Sequence, residues 1–140
     1  MESDHTDVDG PWRVLIADDD ASFRRVVRVL LEDDPDFEVV GEAADGGEAV
    51  QLAEQLQPDS VILDWRMPVM DGDAALAEIK RRCPNTDVIA LSTMPWITSG
   101  GPAPDAALEK GGDIWTEMLP PLVATLGSDR RARQRARSGD

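Results

Sequence analysis

Short apolar runs alternate with stretches of helical periodicity along the first two thirds of the chain. Residues 13–20, RVLIADDD, hold Val14, Leu15 and Ile16 in an unbroken apolar run that stops on three carboxylates. Such a run fits a central strand covered on both faces. Residues 21–34 set Phe23, Val26, Val27, Leu30 and Leu31 at i, i+3, i+4, i+7 and i+8, and Pro35 ends the series. That spacing predicts an amphipathic helix. FEVVGEAAD (37–45) reads as a second strand leaving through a turn at Asp45-Gly46-Gly47. Residues 47–58 form a second helix with Ala49, Val50, Leu52, Ala53 and Leu56 on its apolar side. SVILD (60–64) is a third strand, and it too ends on an aspartate. After a loop marked by Met67-Pro68 and Met70-Asp71-Gly72, residues 73–83 read as a third helix stopped by Pro84. DVIALST (87–93) is a fourth strand ending in two hydroxyls.

Strands and helices that alternate with short links imply a parallel, doubly wound α/β sheet. Beyond residue 94 the pattern fades. Residues 94–105 are rich in Pro and Gly and read as a loop, and AALEKGG (106–112) as a short helix closed by glycine. DIWTEML (113–119) makes a poor fifth strand, interrupted by Thr116 and Glu117 and ended by Pro120-Pro121. LVATLG (122–127) leaves room for a short helix at most. The expected organisation is a leader over residues 1–11, one domain over 12–127 with a degenerate last strand and last helices, and a basic, disordered tail over 128–140.

Composition narrows the chemistry. A chain of 140 residues, 41% of them hydrophobic, suits one domain with a proper core. No apolar run approaches the roughly 20 residues that span a bilayer, and the acidic start MESDHTDVDG is no secretory signal. A cytoplasmic location with no membrane partner is the expectation. The single cysteine, Cys83, has no partner for an internal disulfide, and no Cys/His cluster offers a zinc site. Cys83 before Pro84 reads as a buried helix-end residue. The single histidine, His5, lies in the polar leader, which excludes histidine-based triads or acid–base pairs. The formal charge of −14 argues against nucleic acid as a partner of the domain body. Residues 1–126 carry −17 and residues 127–140 carry +3, so basic density is confined to the tail.

The aspartates carry the chemistry. Asp18 and Asp19 fall at the carboxyl end of the first strand, and Asp64 at the carboxyl end of the third. With strand order 2-1-3-4-5, the flavodoxin-like arrangement, strands 1 and 3 are neighbours at the topological switch point, where ligands bind. Three carboxylates gathered there repel one another unless a cation joins them, and Mg²⁺ suits such oxygen ligands. Asp20 needs no such role, because a carboxylate at a helix start is favoured by the dipole.

VLIADDDASFRR, SVILDWRMPVMDG and DVIALST together resemble, in order and spacing, the signatures of response-regulator receiver domains, over roughly residues 12–94. The resemblance implies that Asp18, Asp19, Asp64 and the backbone carbonyl of Arg66 hold Mg²⁺. It makes Asp64 the phosphoryl-accepting nucleophile and Ser92 the hydroxyl that reorients toward the phosphoryl group. Met67 and Pro68 would shape the loop after the nucleophile, and Gly72 would relieve its turn. A partly exposed Trp65 would report on the site. Receiver domains usually also carry a lysine at the end of the fifth strand, followed by proline. Aligning Gly111-Gly112-Asp113 with the turn before that strand puts Trp115 at the switch aromatic, Met118 at the lysine and Leu119 at the proline. On that alignment the lysine is missing, Lys110 is a solvated helix end, and Arg66 is the candidate to replace its charge.

The leading expectation is therefore a single-domain response regulator, phosphorylated by a sensor histidine kinase or a histidine phosphotransfer protein. It would signal by contact with a downstream protein, with homodimerisation open. One alternative is a pseudo-receiver acting without phosphorylation. Another is an Mg²⁺-dependent phosphatase, which the arginine two residues after Asp64 disfavours, since such enzymes want Asp-x-Asp there. The Arg-rich tail is open to an acidic partner.

Overall fold

The strand β1 (Trp12–Ala17) lies at the heart of a five-stranded sheet in the computed structural model, paired in parallel with β2 (Phe37–Ala43) and with β3 (Ser60–Asp64). The structure describes residues 10–66, 71–92 and 102–137. The leader up to residue 9, the Met67-Pro68 loop, Thr93, residues 94–101 of the predicted Pro- and Gly-rich loop with Trp96, and residues 138–140 lie outside the described residues. Strands β4 (Asp87–Ser92) and β5 (Ala106–Glu109) extend the sheet in the order β2-β1-β3-β4-β5, all parallel. The predicted doubly wound, flavodoxin-like order is thus the observed one.

Local chemistry sets the helix starts. Helix α1 (Ala21–Glu32) is capped by Asp20, whose side chain accepts from the Ser22 and Phe23 amides. Helix α2 (Gly46–Leu56) is capped by Asp45, which accepts from Glu48 N, while Glu48 Oε1 accepts from Ala44 N in return. Helix α3 (Gly72–Arg82) is capped by Asp71 and carries Lys80, Arg81 and Arg82 in its last turn, where cations favour the dipole. The sheet is sandwiched. On one side Phe23, Val27 and Leu31 of α1 pack with Val14, Ile16, Ile62, Ile89 and Leu91. On the other, Ala49, Val50 and Ala53 of α2 and Ala75, Leu76 and Ile79 of α3 pack with Leu15, Val61, Leu63 and Val88. Cys83 is buried at the end of α3, its Sγ 3.3 Å from the Ala53 carbonyl, and burial pushes its thiol pKa up.

Three expectations for the last third fail. AALEKGG does not form a helix. Ala106–Glu109 is the edge strand β5, in register with Ile89–Ser92. Ala106 and Leu108 face the core and Ala107 and Glu109 are exposed, so a two-residue alternation overrides the helix preference of Ala, Leu and Glu. DIWTEML does not form a strand. Gly112, at φ +69°, turns the chain into a wide π-helical turn (Ile114–Met118) that runs directly into helix α4 (Leu119–Arg137). Pro120 and Pro121 sit at the start of α4, where missing N–H groups are tolerated. The same prolines deprive the Thr116 and Glu117 carbonyls of their α-helical donors, which accounts for the widened turn.

The third correction concerns the tail. Helix α4 continues through residues 128–137, so the expected boundary at 128 falls inside a helix. Its core stripe of Leu119, Leu122 and Leu126 is extended by Arg130 and Arg133 at helical spacing. Arg133 lies over the Trp12 ring at 4.7 Å, donates to Asp59 Oδ1 at 3.0 Å and to the Asn85 carbonyl at 2.5 Å, and faces Asp87 at 3.9 Å. Arg130 reaches the Gly10 carbonyl at 3.4 Å and Asp36 at 3.8 Å. Long basic side chains cover apolar surface with their stems and pair at their heads, so the stripe carries on after the apolar residues end. These two arginines hold the helix to the amino end of the sheet.

Candidate functional site

The first and third strands both deliver aspartates to the carboxyl edge of the sheet. The Asp18 backbone follows β1 and stays anchored, with Asp18 N donating to the Ala43 carbonyl at 3.0 Å. Its side chain is 1% exposed, and Oδ1 accepts from Asp20 N at 2.9 Å. Arg24 Nη1 donates to the Asp18 carbonyl at 2.6 Å while Nε bonds Glu42, which ties the start of α1 to β2 around this turn. Asp19 is exposed beside it. Asp64 ends β3 and is 5% exposed, and the Arg66 amide donates to its Oδ1 at 3.4 Å. Carboxylate oxygens of Asp18, Asp19 and Asp64 lie within 4.8 Å of one another, the one such cluster of potential ligands found among the described residues. Asp20 plays the separate part of N-cap.

The cation of the site is Lys110, which corrects the expectation that the lysine is missing. Lys110 directly follows β5, and its amide donates to the Ser92 carbonyl at 2.7 Å. Its Nζ lies 2.5 Å from Asp18 Oδ2 and 3.5 Å from Asp64 Oδ2. Lys110 therefore stands immediately past the fifth strand, where the resemblance to receiver domains places a lysine, and that strand precedes Gly111-Gly112-Asp113 instead of following it. Met118 and Leu119, set at the lysine and proline by that alignment, are core residues only 4% and 2% exposed. Trp115 lies 57% exposed on the π turn. Keeping the same three-residue spacing, the aromatic position falls on Ala107, and Gly111 stands where the proline would. Arg66 is exposed, and the charge it was expected to replace is already supplied by Lys110.

Burial and charge compete here. Burial and the neighbouring Asp18 raise the Asp64 carboxyl above its ordinary range, against the pull of Lys110 and the Arg66 amide. Burial works against the Lys110 ammonium, but Asp18 and Asp64 outweigh it and its pKa is raised. Ser92 is 8% exposed at the end of β4, one residue past the Asp64–Leu91 register pair, on the same edge of the sheet. Trp65 is half-buried after the nucleophile candidate, its amide donating to the Leu91 carbonyl at 2.9 Å. Gly72 serves Trp65 rather than a strained turn: a Cβ at 72 would sit 2.4 Å from the Trp65 ring.

A parallel sheet of this order, with an acidic cluster and one ammonium at its switch point, defines a doubly wound α/β protein with a cation-seeking site. Comparison with known proteins gives the family: the response regulator receiver domain matches residues 14–97, and the chain belongs to that family. The response regulator domain of Thermotoga maritima CheB is similar in structure, with a TM-score of 0.75 at 28% identity, over 86% of this chain and 97% of that one. CheY6 of R. sphaeroides, solved with the P1 domain of CheA3, is represented by a match at TM-score 0.64 and 32% identity, over 85% of this chain and 98% of the other. In sequence the chain is 39% identical over 117 residues to a protein-glutamate methylesterase/protein-glutamine glutaminase of Alkalilimnicola ehrlichii, covering 84% of this chain. It spans only 28% of that relative's length. Among the described residues no helix is long and apolar enough to cross a membrane.

Proposed function

We propose that this receiver domain is a phosphoacceptor switch in which the Asp64 carboxylate takes a phosphoryl group. The observation that carries the reading is the Lys110 ammonium set between Asp18 and Asp64 at the carboxyl edge of the sheet. An Asp64 oxygen attacks the phosphorus of a phosphohistidine or small acyl phosphate. The new O–P bond forms as the bond to the donor breaks, and the leaving imidazole or carboxylate keeps the electron pair. The Lys110 ammonium and the backbone N–H groups after Asp64 offset charge on the transferring oxygens. Water later cleaves the acyl phosphate, returning the carboxylate and releasing phosphate.

The donor set fits a hard divalent cation: three carboxylates lie in reach of one another, two of them buried, and the single Lys110 ammonium does not balance them. Asp18, Asp19 and Asp64, with the Arg66 carbonyl, would hold Mg²⁺, which supplies positive charge to the phosphoryl oxygens when bound. Ser92 is assigned the hydroxyl that turns toward the phosphoryl group. The donor would be a sensor histidine kinase or a histidine phosphotransfer protein in the cytoplasm, a role for which the CheA3 P1 complex of CheY6 offers a parallel. Output would run through contact with another protein or domain, and no catalysis is proposed beyond the domain's own phosphorylation and dephosphorylation. With Lys110 in place, the chief ground for a phosphorylation-independent reading is gone.

The test is incubation with Mg²⁺ and acetyl phosphate followed by intact-mass measurement. The expected result is one labile adduct of roughly 80 Da that is absent from Asp64→Asn. Equal labelling of that variant would overturn the assignment.

A further inference from the structure

The Lys110 ammonium has a third neighbour that the chemistry above does not use. Its Nζ sits over the Phe23 ring, 4.6 Å from the centroid. Phe23 is 6% exposed in the first turn of α1, wedged into the core beneath the sheet, and its amide is held by Asp20 Oδ1 at 3.2 Å. The ring is thus fixed where the flexible lysine stem ends. We propose that Phe23 is a positioning residue for the acceptor site, its ring face seating the Lys110 ammonium while that cation exchanges Asp18 for an incoming phosphoryl group. The inference rests on the acceptor reading of Asp64.

The need for such a seat follows from the partners. Asp18 Oδ2 is engaged by Lys110 in this structure, and the same carboxylate belongs to the acidic cluster. Asp18 Oδ1 already accepts from Asp20 N and Oδ2 from Lys110, so a cation held by that carboxylate competes with the ammonium, which can shift toward Asp64, 3.5 Å away, as phosphoryl oxygens arrive there. Hydrogen bonds are directional and are broken in that move. Attraction between a cation and a ring face acts within about 6 Å of the centroid, falls off gradually across the face, and strengthens when water is excluded. With Lys110 only 19% exposed, the ring can hold the ammonium in place before and after the exchange. An aliphatic residue would fill the same core volume without that attraction.

The experiment replaces Phe23 by mono-, di- and trifluorophenylalanine and by leucine, and follows phosphorylation by acetyl phosphate at saturating Mg²⁺. Fluorine drains the negative ring face but leaves shape and packing nearly unchanged, and thermal melts identify any variant that folds poorly. The rate should fall stepwise with fluorination, roughly three- to tenfold across the series, with Phe23→Leu at its end. In a Lys110→Met background the series should become flat. A rate indifferent to fluorination, or the same slope without the lysine, overturns the inference while leaving phosphorylation of Asp64 intact. A parent chain that takes no phosphoryl group overturns the acceptor reading and this inference with it.

Discussion

At the level of single residues, the site is an arrangement of charges brought together by strand ends. Asp18 and Asp64 are almost fully buried, and Lys110 is the ammonium that both reach. Removing it should leave the carboxylates to repel one another and to seek another cation. Lys110→Met is accordingly expected to bind Mg²⁺ more tightly, by roughly tenfold on a one-unit scale of charge interaction, in a titration followed by tryptophan fluorescence. Weaker binding would mean that the lysine helps to build the acidic pocket instead of competing for it. Gly72 offers a second test. A methyl group there would overlap the Trp65 ring, so Gly72→Ala should shift Trp65 emission and cost about 1–3 kcal/mol of stability. An unchanged spectrum would contradict the close packing of these two residues. The acidic cluster is legible in the sequence, because Asp18 and Asp19 follow, and Asp64 ends, strands with unbroken apolar runs. Lys110 is not, because it follows a strand written in helix-forming residues.

Secondary-structure elements show where sequence periodicity carries information and where it stops. Strands β1, β3 and β4 are built on apolar runs covered on both faces, whereas the edge strand β2 buries Phe37 and Val39 and exposes Glu38 between them. Strand β5 has four residues, of which Ala106 and Leu108 alone face inward, and its identity depends on hydrogen bonding to β4. The one available signal was that two-residue alternation followed by Lys110-Gly111. Apolar periodicity understates the length of helix α4 because its inward stripe changes from leucine to arginine after Leu126. If Arg133 holds the helix by its stem on Trp12 and its head on Asp59, Arg133→Ala should lower stability by about 1–2 kcal/mol in denaturant unfolding. Arg131→Ala, on the exposed side of the same helix, should change little. Equal effects would argue that the two arginines act only through helix propensity.

For the molecule as a whole, the two ends of the sheet carry different electrostatics. The carboxyl edge holds the acidic cluster and Lys110, the proposed acceptor site. The amino edge gathers Asp59, Asp87, Asp105 and Asp129 around Arg133 and Lys80. Asp129 Oδ2 is buried without a hydrogen-bond partner, and burial, with Asp87 and Asp105 nearby, raises its pKa to about 6 against the pull of Arg133. Burial, with Asp105 nearby, also raises Asp87. A carboxyl group whose pKa is higher folded than unfolded binds more protons in the native state across that interval. Its contribution to stability therefore falls as pH rises from about 4 to 6. Asp129→Asn should raise the melting temperature at pH 7.5 by a few degrees, on the order of 1–2 kcal/mol once partial exposure is allowed for. The gain should shrink toward pH 4.5, and a gain independent of pH would exclude the carboxylate as its cause.

The proposed phosphoryl acceptor is one oxygen of the Asp64 side chain, and chemical trapping reads it directly. An acyl phosphate on aspartate is reduced by borohydride to homoserine, whereas free carboxylates are untouched. After phosphorylation with acetyl phosphate and Mg²⁺, peptide mass spectrometry should find homoserine at position 64 and unmodified aspartate at 18 and 19. Homoserine at 18 or 19, or none anywhere in a folded, Mg²⁺-loaded sample, would contradict the assignment of Asp64 as the acceptor.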